Sequence, residues 1–291
     1  MKHYKNLSKT LLLSACAGLA LGACAPVNLL NAITPSSSFT KASDVSYGAL
    51  PRQSLDIYKA DNPKTDAPIL VYTHGGSWDS GSKDIYKFFA EGFTREGYTV
   101  AVPNYRLYPE ARFPDMIVDT TKAIKFVADR YPDRPLVVMG HSAGAYNTLM
   151  AVMDPQFADS AGLKMCERIA GVIGMAPPTG IIPLKEEPYI TIFPDRFTGK
   201  DAPLNQTEHS IPPLLLVHGL DDKTVYPQNS QKLAELVNAR GGQAVVKTYA
   251  DINHTDVIKV ISKHFDGDAS IKADMVAFID GLDLSQSNHC E

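Results

Sequence analysis

Gly140-His141-Ser142-Ala143-Gly144 sets a serine in a G-x-S-x-G pentapeptide between two unlike elements. The apolar, β-type stretch Pro135–Met139 precedes it, and Tyr146–Met153 after it reads as a helix. A sharp strand-to-helix turn lifts such a serine hydroxyl clear of a sheet and aims the first turn of the next helix at it. Small flanking residues let the strand and helix approach closely. The chemistry available there is nucleophilic attack on an acyl carbon, once a base takes the serine proton. A second stretch, Tyr72–Trp78, closes the apolar run Ala67–Val71 with His74-Gly75-Gly76-Ser77. A glycine pair after a strand turns backbone N–H groups outward, which suits a developing oxyanion. The amides of Gly76 and Ser77, with that of Ala143, are expected to form a three-donor oxyanion hole.

With these two loops the chain resembles the α/β-hydrolase superfamily. Within it, the chain is most similar to the hormone-sensitive-lipase-like and kynurenine-formamidase-like esterases, where an H-G-G-x loop precedes the elbow at a comparable distance. The likeness extends to Tyr47-Gly48, Leu55–Tyr58, Pro103–Glu110 and Phe113-Pro114. Two positions depart from the pattern. Ser77-Trp78 stand where lipase-like members carry another glycine, and His141 stands where many members have an acidic residue. Both departures point toward the formamidase-like and small-ester branches and away from a long-chain lipase.

The resemblance also supplies the acid. Family members carry H-G-x-x-D-x-x-V after a buried strand, and here that register falls on Pro212–Gly219 followed by Leu220–Val225. It selects Asp222 over its neighbour Asp221, since consecutive residues leaving a strand point different ways. His254, just after the β-type run Gln243–Tyr249, completes the order serine, acid, histidine. The chain has 8 histidines. Of the others, His3 lies in the leader and His289 in a polar tail. His74 and His218 end strands, His141 is locked in the elbow, His209 precedes the acid's strand, and His264 comes too late.

From residue types, His254 accepts the Ser142 proton and returns it to the leaving group, while Asp222 fixes the His254 tautomer and stabilises the imidazolium. An acyl-enzyme forms and water hydrolyses it. No cofactor or metal is expected: H-E-x-x-H, paired Cys-x-x-Cys, a phosphate loop and G-x-G-x-x-G are all missing from the sequence. Net charge is −4 with both signs interspersed, so no nucleic-acid partner is expected. The expected activity is that of a serine carboxylic ester hydrolase on small-molecule, short-chain acyl esters. An arylformamidase-like amidase or a serine peptidase would use the same triad.

These residues need a scaffold. A chain of 291 residues can bury a full α/β core as one domain. Ile85, Phe88, Phe89 and Phe93 recur at helical spacing, Tyr98–Val102 reads as a strand, and Met116, Ile117, Ile124, Val127 and Ala128 mark the next helix. The alternation predicts an α/β fold with a mostly parallel central sheet and helices on both faces, with ligands beyond the carboxyl ends of the strands. Residues 178–213, proline-rich with interleaved aromatics, are expected to form either a small lid or a surface excursion. Trp78 and Tyr105 are expected to line the substrate pocket, and Arg106 to make a structural ion pair.

The first residues read as an address. Lys2, Lys5 and Lys9 precede a short apolar run, Leu11–Leu21, too short to span a bilayer permanently. Leu21-Gly-Ala-Cys24 resembles the lipobox of bacterial lipoproteins, which implies a signal peptide over residues 1–23 and acylation of Cys24. Ala25-Pro26 offers no inner-membrane-retention aspartate, so a lipid anchor at the outer membrane of an exported protein is expected. Residues 24–41 are expected to be a flexible tether and 42–291 the catalytic domain. Cys166 and Cys290 are left free to pair or not.

Overall fold

A computed structural model describes residues 29–180, 187–193, 202–268, 270–285 and 288–290. Eight strands form a single sheet: β1 (Phe39–Ser46), β2 (Ser54–Ala60), β3 (Ile69–Thr73), β4 (Val100–Pro103), β5 (Leu136–His141), β6 (Ile169–Met175), β7 (Leu214–Gly219) and β8 (Ala244–Tyr249), in the order β1-β2-β4-β3-β5-β6-β7-β8. Pairings β1–β2 and β2–β4 are antiparallel and all the others are parallel. This is the α/β-hydrolase fold expected from the sequence.

The central strands β3, β5, β6 and β7 are buried end to end and mostly apolar because both faces are covered. Alternate residues feed two cores. Ile69, Val71, Leu136 and Val138 pack with Met116, Ile117, Ile124 and Val127 of one helix (Asp115–Arg130), with Leu149 and Met150 of another (Ala143–Met153), and with Leu233 and Val237 of a third (Gln228–Ala239). Leu70, Tyr72, Val137 and Met139 face the other way, against Phe88, Phe89 and Phe93 of Lys87–Thr94 and Ile271, Met275 and Ile279 of Ser270–Asp280. From β3 the chain crosses to β4 on one side and then returns to β5 on the other. That reversal opens a crevice at the carboxyl ends of β3 and β5, where this class of sheet holds ligands.

The tether expectation needs correction from residue 29 onward. Residues 29–33 are helical and Leu30 is buried; Phe39 is buried too and meets Tyr58 edge-on at 5.0 Å between ring centroids. Asn31 ties this stretch down by donating to the Asp84 carbonyl and accepting from the Lys87 amide. Two apolar anchors within a polar, proline-containing sequence are enough to bind it to the domain. The expected signal peptide and Cys24 lie outside the described residues. No helix among the described residues is long and apolar enough to cross a membrane.

Arg106 does make a structural ion pair. Its guanidinium meets both oxygens of the fully buried Asp119, at 2.7 and 2.9 Å, and Gln53 donates to the same carboxylate. Cys166 and Cys290 are joined as a disulfide, with Cα atoms 5.2 Å apart, which the spacing of the cysteines alone left open.

Candidate active site

The elbow follows from its glycines. A Cβ at Gly144 would lie 2.3 Å from the carbonyl oxygens of both Thr73 and His74, and one at Gly140 would lie 2.4 Å from that of Gly144. Strand β5 and the helix Ala143–Met153 can therefore meet only with hydrogen at these positions. Between them Ser142 takes φ 53°, a left-handed conformation that costs an L-residue on the order of 1–3 kcal/mol and is held by the surrounding packing. Its amide donates to the Met175 carbonyl on β6, and its own carbonyl starts the helix by accepting from Tyr146.

Three side chains from three strand ends converge on this point. The Ser142 Oγ lies 2.8 Å from His254 Nε2, and His254 Nδ1 lies 2.7 Å from Asp222 Oδ2. The carboxylate can only accept, so Nδ1 carries the proton and Nε2 is left to take one from the serine hydroxyl. Asp222 is buried and its other oxygen, Oδ1, accepts the Thr224 and Val225 amides at 2.9 Å each. Burial alone would raise its pKa. Hydrogen bonds from His218 and His254, with the Val225 amide, outweigh that and hold the carboxyl well below the usual carboxylate range. Asp221 is exposed, and its amide ties the loop after β7 to the Ile252 carbonyl at 3.1 Å. Neither aspartate caps the helix Gln228–Ala239, whose N-cap is Pro227.

The loop after β3 turns through three consecutive residues at positive φ: Gly76 (124°), Ser77 (52°) and Trp78 (63°). Gly76 must be glycine, because a Cβ there would lie 2.2 Å from the Ser80 carbonyl oxygen. Its carbonyl closes the turn by accepting the Asp79 and Ser80 amides. The amides of Gly76, Ser77 and Ala143 donate to no other described group, and Ser77 and Ala143 line the cavity beside Ser142. Such unpaired donors at a helix N-terminus and a strained turn suit a carbonyl oxygen that gains charge.

The cavity measures about 150 Å³ and is walled by Trp78 and Tyr189, and by Thr224, Val225 and Tyr226 from the loop after β7. Trp78 thus lines the pocket, fixed by an indole N–H bond of 2.9 Å to Asn147 Oδ1 and by edge-on contacts with Tyr146 and Phe193. Tyr105 does not line it, which corrects the sequence expectation. It is fully buried, stacked on His74 at 4.6 Å between centroids, with its hydroxyl donating to the His74 carbonyl. Of the 178–213 insertion, the short helix Tyr189–Ile192 reaches the cavity through Tyr189, and the buried Phe193 that follows it meets Trp78 edge-on. Residues 181–186 and 194–201 of that stretch lie outside the described residues.

Sequence reasoning missed His218, Tyr189 and Tyr226. His218 is fully buried, with Nε2 2.8 Å from the Val225 carbonyl and 3.3 Å from Asp222 Oδ2, and Nδ1 2.7 Å from the Ser230 hydroxyl. Its place in the H-G-x-x-D register was the available signal. The one described grouping of carboxylates at ligand spacing, Asp44, Asp56 and Asp84, already surrounds the Lys83 ammonium at 2.7, 3.0 and 2.7 Å.

Comparison with known proteins agrees with this architecture. The sequence model of the BD-FAE family matches residues 55–237, and that of the prolyl oligopeptidase family matches residues 198–282. A probable isoprenylcysteine alpha-carbonyl methylesterase of Oryza sativa subsp. japonica is 27% identical over 73% of this chain, which spans 58% of that protein. A kynurenine formamidase of Danio rerio is 26% identical over 77% of the chain and 76% of its own length. Among solved structures, esterase B from Lactobacillus rhamnosis superposes with a TM-score of 0.76 at 18% identity, over 91% of this chain and 94% of that one, a likeness of fold.

Proposed function

The chain belongs to the BD-FAE family, and from that premise we propose that it is a serine carboxylic ester hydrolase cleaving short-chain acyl esters. The observation that carries this reading is the continuous hydrogen-bonded relay from Ser142 through His254 to Asp222, opening on the cavity that Ser77 and Ala143 also line. Ser142 attacks the acyl carbon as His254 Nε2 takes its proton; the amides of Gly76, Ser77 and Ala143 stabilise the oxyanion. The imidazolium, paired with Asp222, then protonates the leaving alcohol. Water enters by the reverse sequence and frees the acid.

A cavity of about 150 Å³ favours a short acyl chain, since pockets for larger ligands run to roughly 300–1,000 Å³. The likeness to a kynurenine formamidase favours one alternative, an amidase using the same triad. Hydrolysis rates on p-nitrophenyl acetate, butyrate and octanoate and on an N-formyl-arylamine separate these readings. Acetate and butyrate are expected to be cleaved at least tenfold faster than octanoate. Inert esters beside a cleaved formamide would transfer the reading to the amidase.

We also propose that the protein is exported and held at the bacterial envelope by lipid on Cys24. The Cys166–Cys290 disulfide supports export, because such bonds persist in oxidising compartments. Protein extracted from cells is expected to enter the detergent phase of Triton X-114, and a Cys24→Ala variant the aqueous phase. Equal partitioning of the two would contradict the anchor.

A further inference from the structure

His141, buried and next to the nucleophile in sequence, has no part in the proton relay, yet it touches the base. Its Nε2 lies 2.9 Å from the backbone carbonyl of His254, and the two rings stand 4.8 Å apart at a tilt of 41°. A carbonyl can only accept, so Nε2 of His141 carries a proton and donates it. Burial, reinforced by the neighbouring His254, pushes His141 down to about 3, so the ring is a neutral donor at working pH. The absence of a side chain at Gly75 makes room for it, since a Cβ there would lie 3.0 Å from His141 Nδ1.

We infer that His141 is a positioning residue for the base: by holding the His254 carbonyl to the end of β5, it sets the imidazole at hydrogen-bonding distance from Ser142. This rests on the triad reading above. The loop carrying His254 has two other local ties. Ile252 is bound to the loop after β7 through the Asp221 amide, and Asn253 Oδ1 accepts the Thr255 and Asp256 amides on the far side. Between these ties, His141 is the described residue that grips the backbone of His254 itself. The nucleophile and the anchor of its base are thus consecutive residues of one strand end. Their spacing is inherited from the sheet and not from a loop far along the chain. A misplacement of about 1 Å in such an arrangement can cost on the order of 100-fold in rate.

The test compares His141→Met with His141→Gln, side chains of matched length of which only glutamine can donate to the carbonyl. With p-nitrophenyl butyrate, H141M is expected to lose about 10- to 100-fold in kcat with KM changed by less than about threefold. H141Q is expected to recover to within about fivefold of the parent. Labelling of Ser142 by a p-nitrophenyl phosphonate should slow in parallel. Wild-type kcat in H141M, or equal losses in both variants, would overturn the inference. Should H141M not fold, the parent protein decides by ¹H–¹⁵N NMR: a protonated, slowly exchanging His141 Nε2 is expected, and an unprotonated one would overturn it. Ser142→Ala run alongside keeps the two readings apart, because its activity tests the triad whatever His141 does.

Discussion

Ser142→Ala is expected to lower kcat by on the order of 10⁶-fold while leaving the fold intact. The alanine removes the only atom that forms the acyl bond, and His254 Nε2 then faces no hydroxyl at 2.8 Å. Residual hydrolysis, on the order of 10³- to 10⁴-fold over water, should survive through the oxyanion donors and substrate binding. Alanine bears the same left-handed strain as serine at φ 53°, so its unfolding midpoint should move little. Ser142→Gly separates strain from chemistry. It is expected to be as inactive as the alanine variant and more stable by roughly 1–2 kcal/mol, because glycine takes this conformation freely. Steady-state kinetics and urea titration of the three proteins provide the check. An active alanine variant would contradict the mechanism, and a destabilised glycine variant would contradict the strain.

The second large effect is expected at the acid. Asp222→Asn keeps the shape of the side chain and, through its amide oxygen, the two bonds from Thr224 and Val225. It places an N–H₂ where Oδ2 now accepts from His254 Nδ1 at 2.7 Å. Two donors cannot face each other, so His254 is expected to switch tautomer and present a protonated Nε2 to Ser142. A protonated nitrogen cannot accept the serine proton. The equivalent change in serine-protease triads lowers kcat about 10⁴-fold, and a loss of that order is expected here. The contrast with Asp221→Asn is the control. Asp221 is exposed and serves through its backbone amide, so its variant should stay within about twofold of the parent. Equal losses at both positions would mean that the loop, and not the Asp222 carboxylate, sustains the rate.

What the sequence made legible follows from physics that acts locally. The runs Ile69–Tyr72, Leu136–Met139 and Leu214–Val217 are aliphatic or aromatic throughout because both faces of the sheet are covered there, so they stood out as buried strands. The elbow glycines are demanded by contacts within one strand–turn–helix unit, and for that reason Gly140 and Gly144 carried a readable pattern. β1 lacked such a signal. It is an edge strand whose residues are mostly exposed and whose register slips between Ala42 and Val45, so FTKASDVS shows neither alternation nor an apolar run. Tyr105 and Trp78 are both aromatic and both near a strand end. Which of them faces the cavity depends on Trp78 finding Asn147 and Phe193, contacts distant in sequence. Tyr189, from the short helix Tyr189–Ile192, and Tyr226, from the loop after β7, reach the cavity for the same reason. The pairing of Cys166 with Cys290, 124 residues apart, likewise depends on the assembled tertiary fold.

The role of His141 marks the boundary between these two kinds of information. Its position in the pentapeptide is local and was plain from the sequence; its bond to the His254 carbonyl spans 113 residues and was not. Sequence identified it as a departure from the acidic residue of many similar esterases, without a reason. The inferred hydrogen bond from buried His141 to the His254 carbonyl supplies one.

The most direct measurement of the central claim is covalent. Treatment with a p-nitrophenyl alkylphosphonate, followed by intact-mass analysis and peptide mapping, reports which atom attacks an acyl-like centre. One adduct per chain on Ser142 is expected, forming in step with the loss of esterase activity and absent from a His254→Ala variant over the same time. An adduct on any other residue, or full inactivation with Ser142 unmodified, would contradict it.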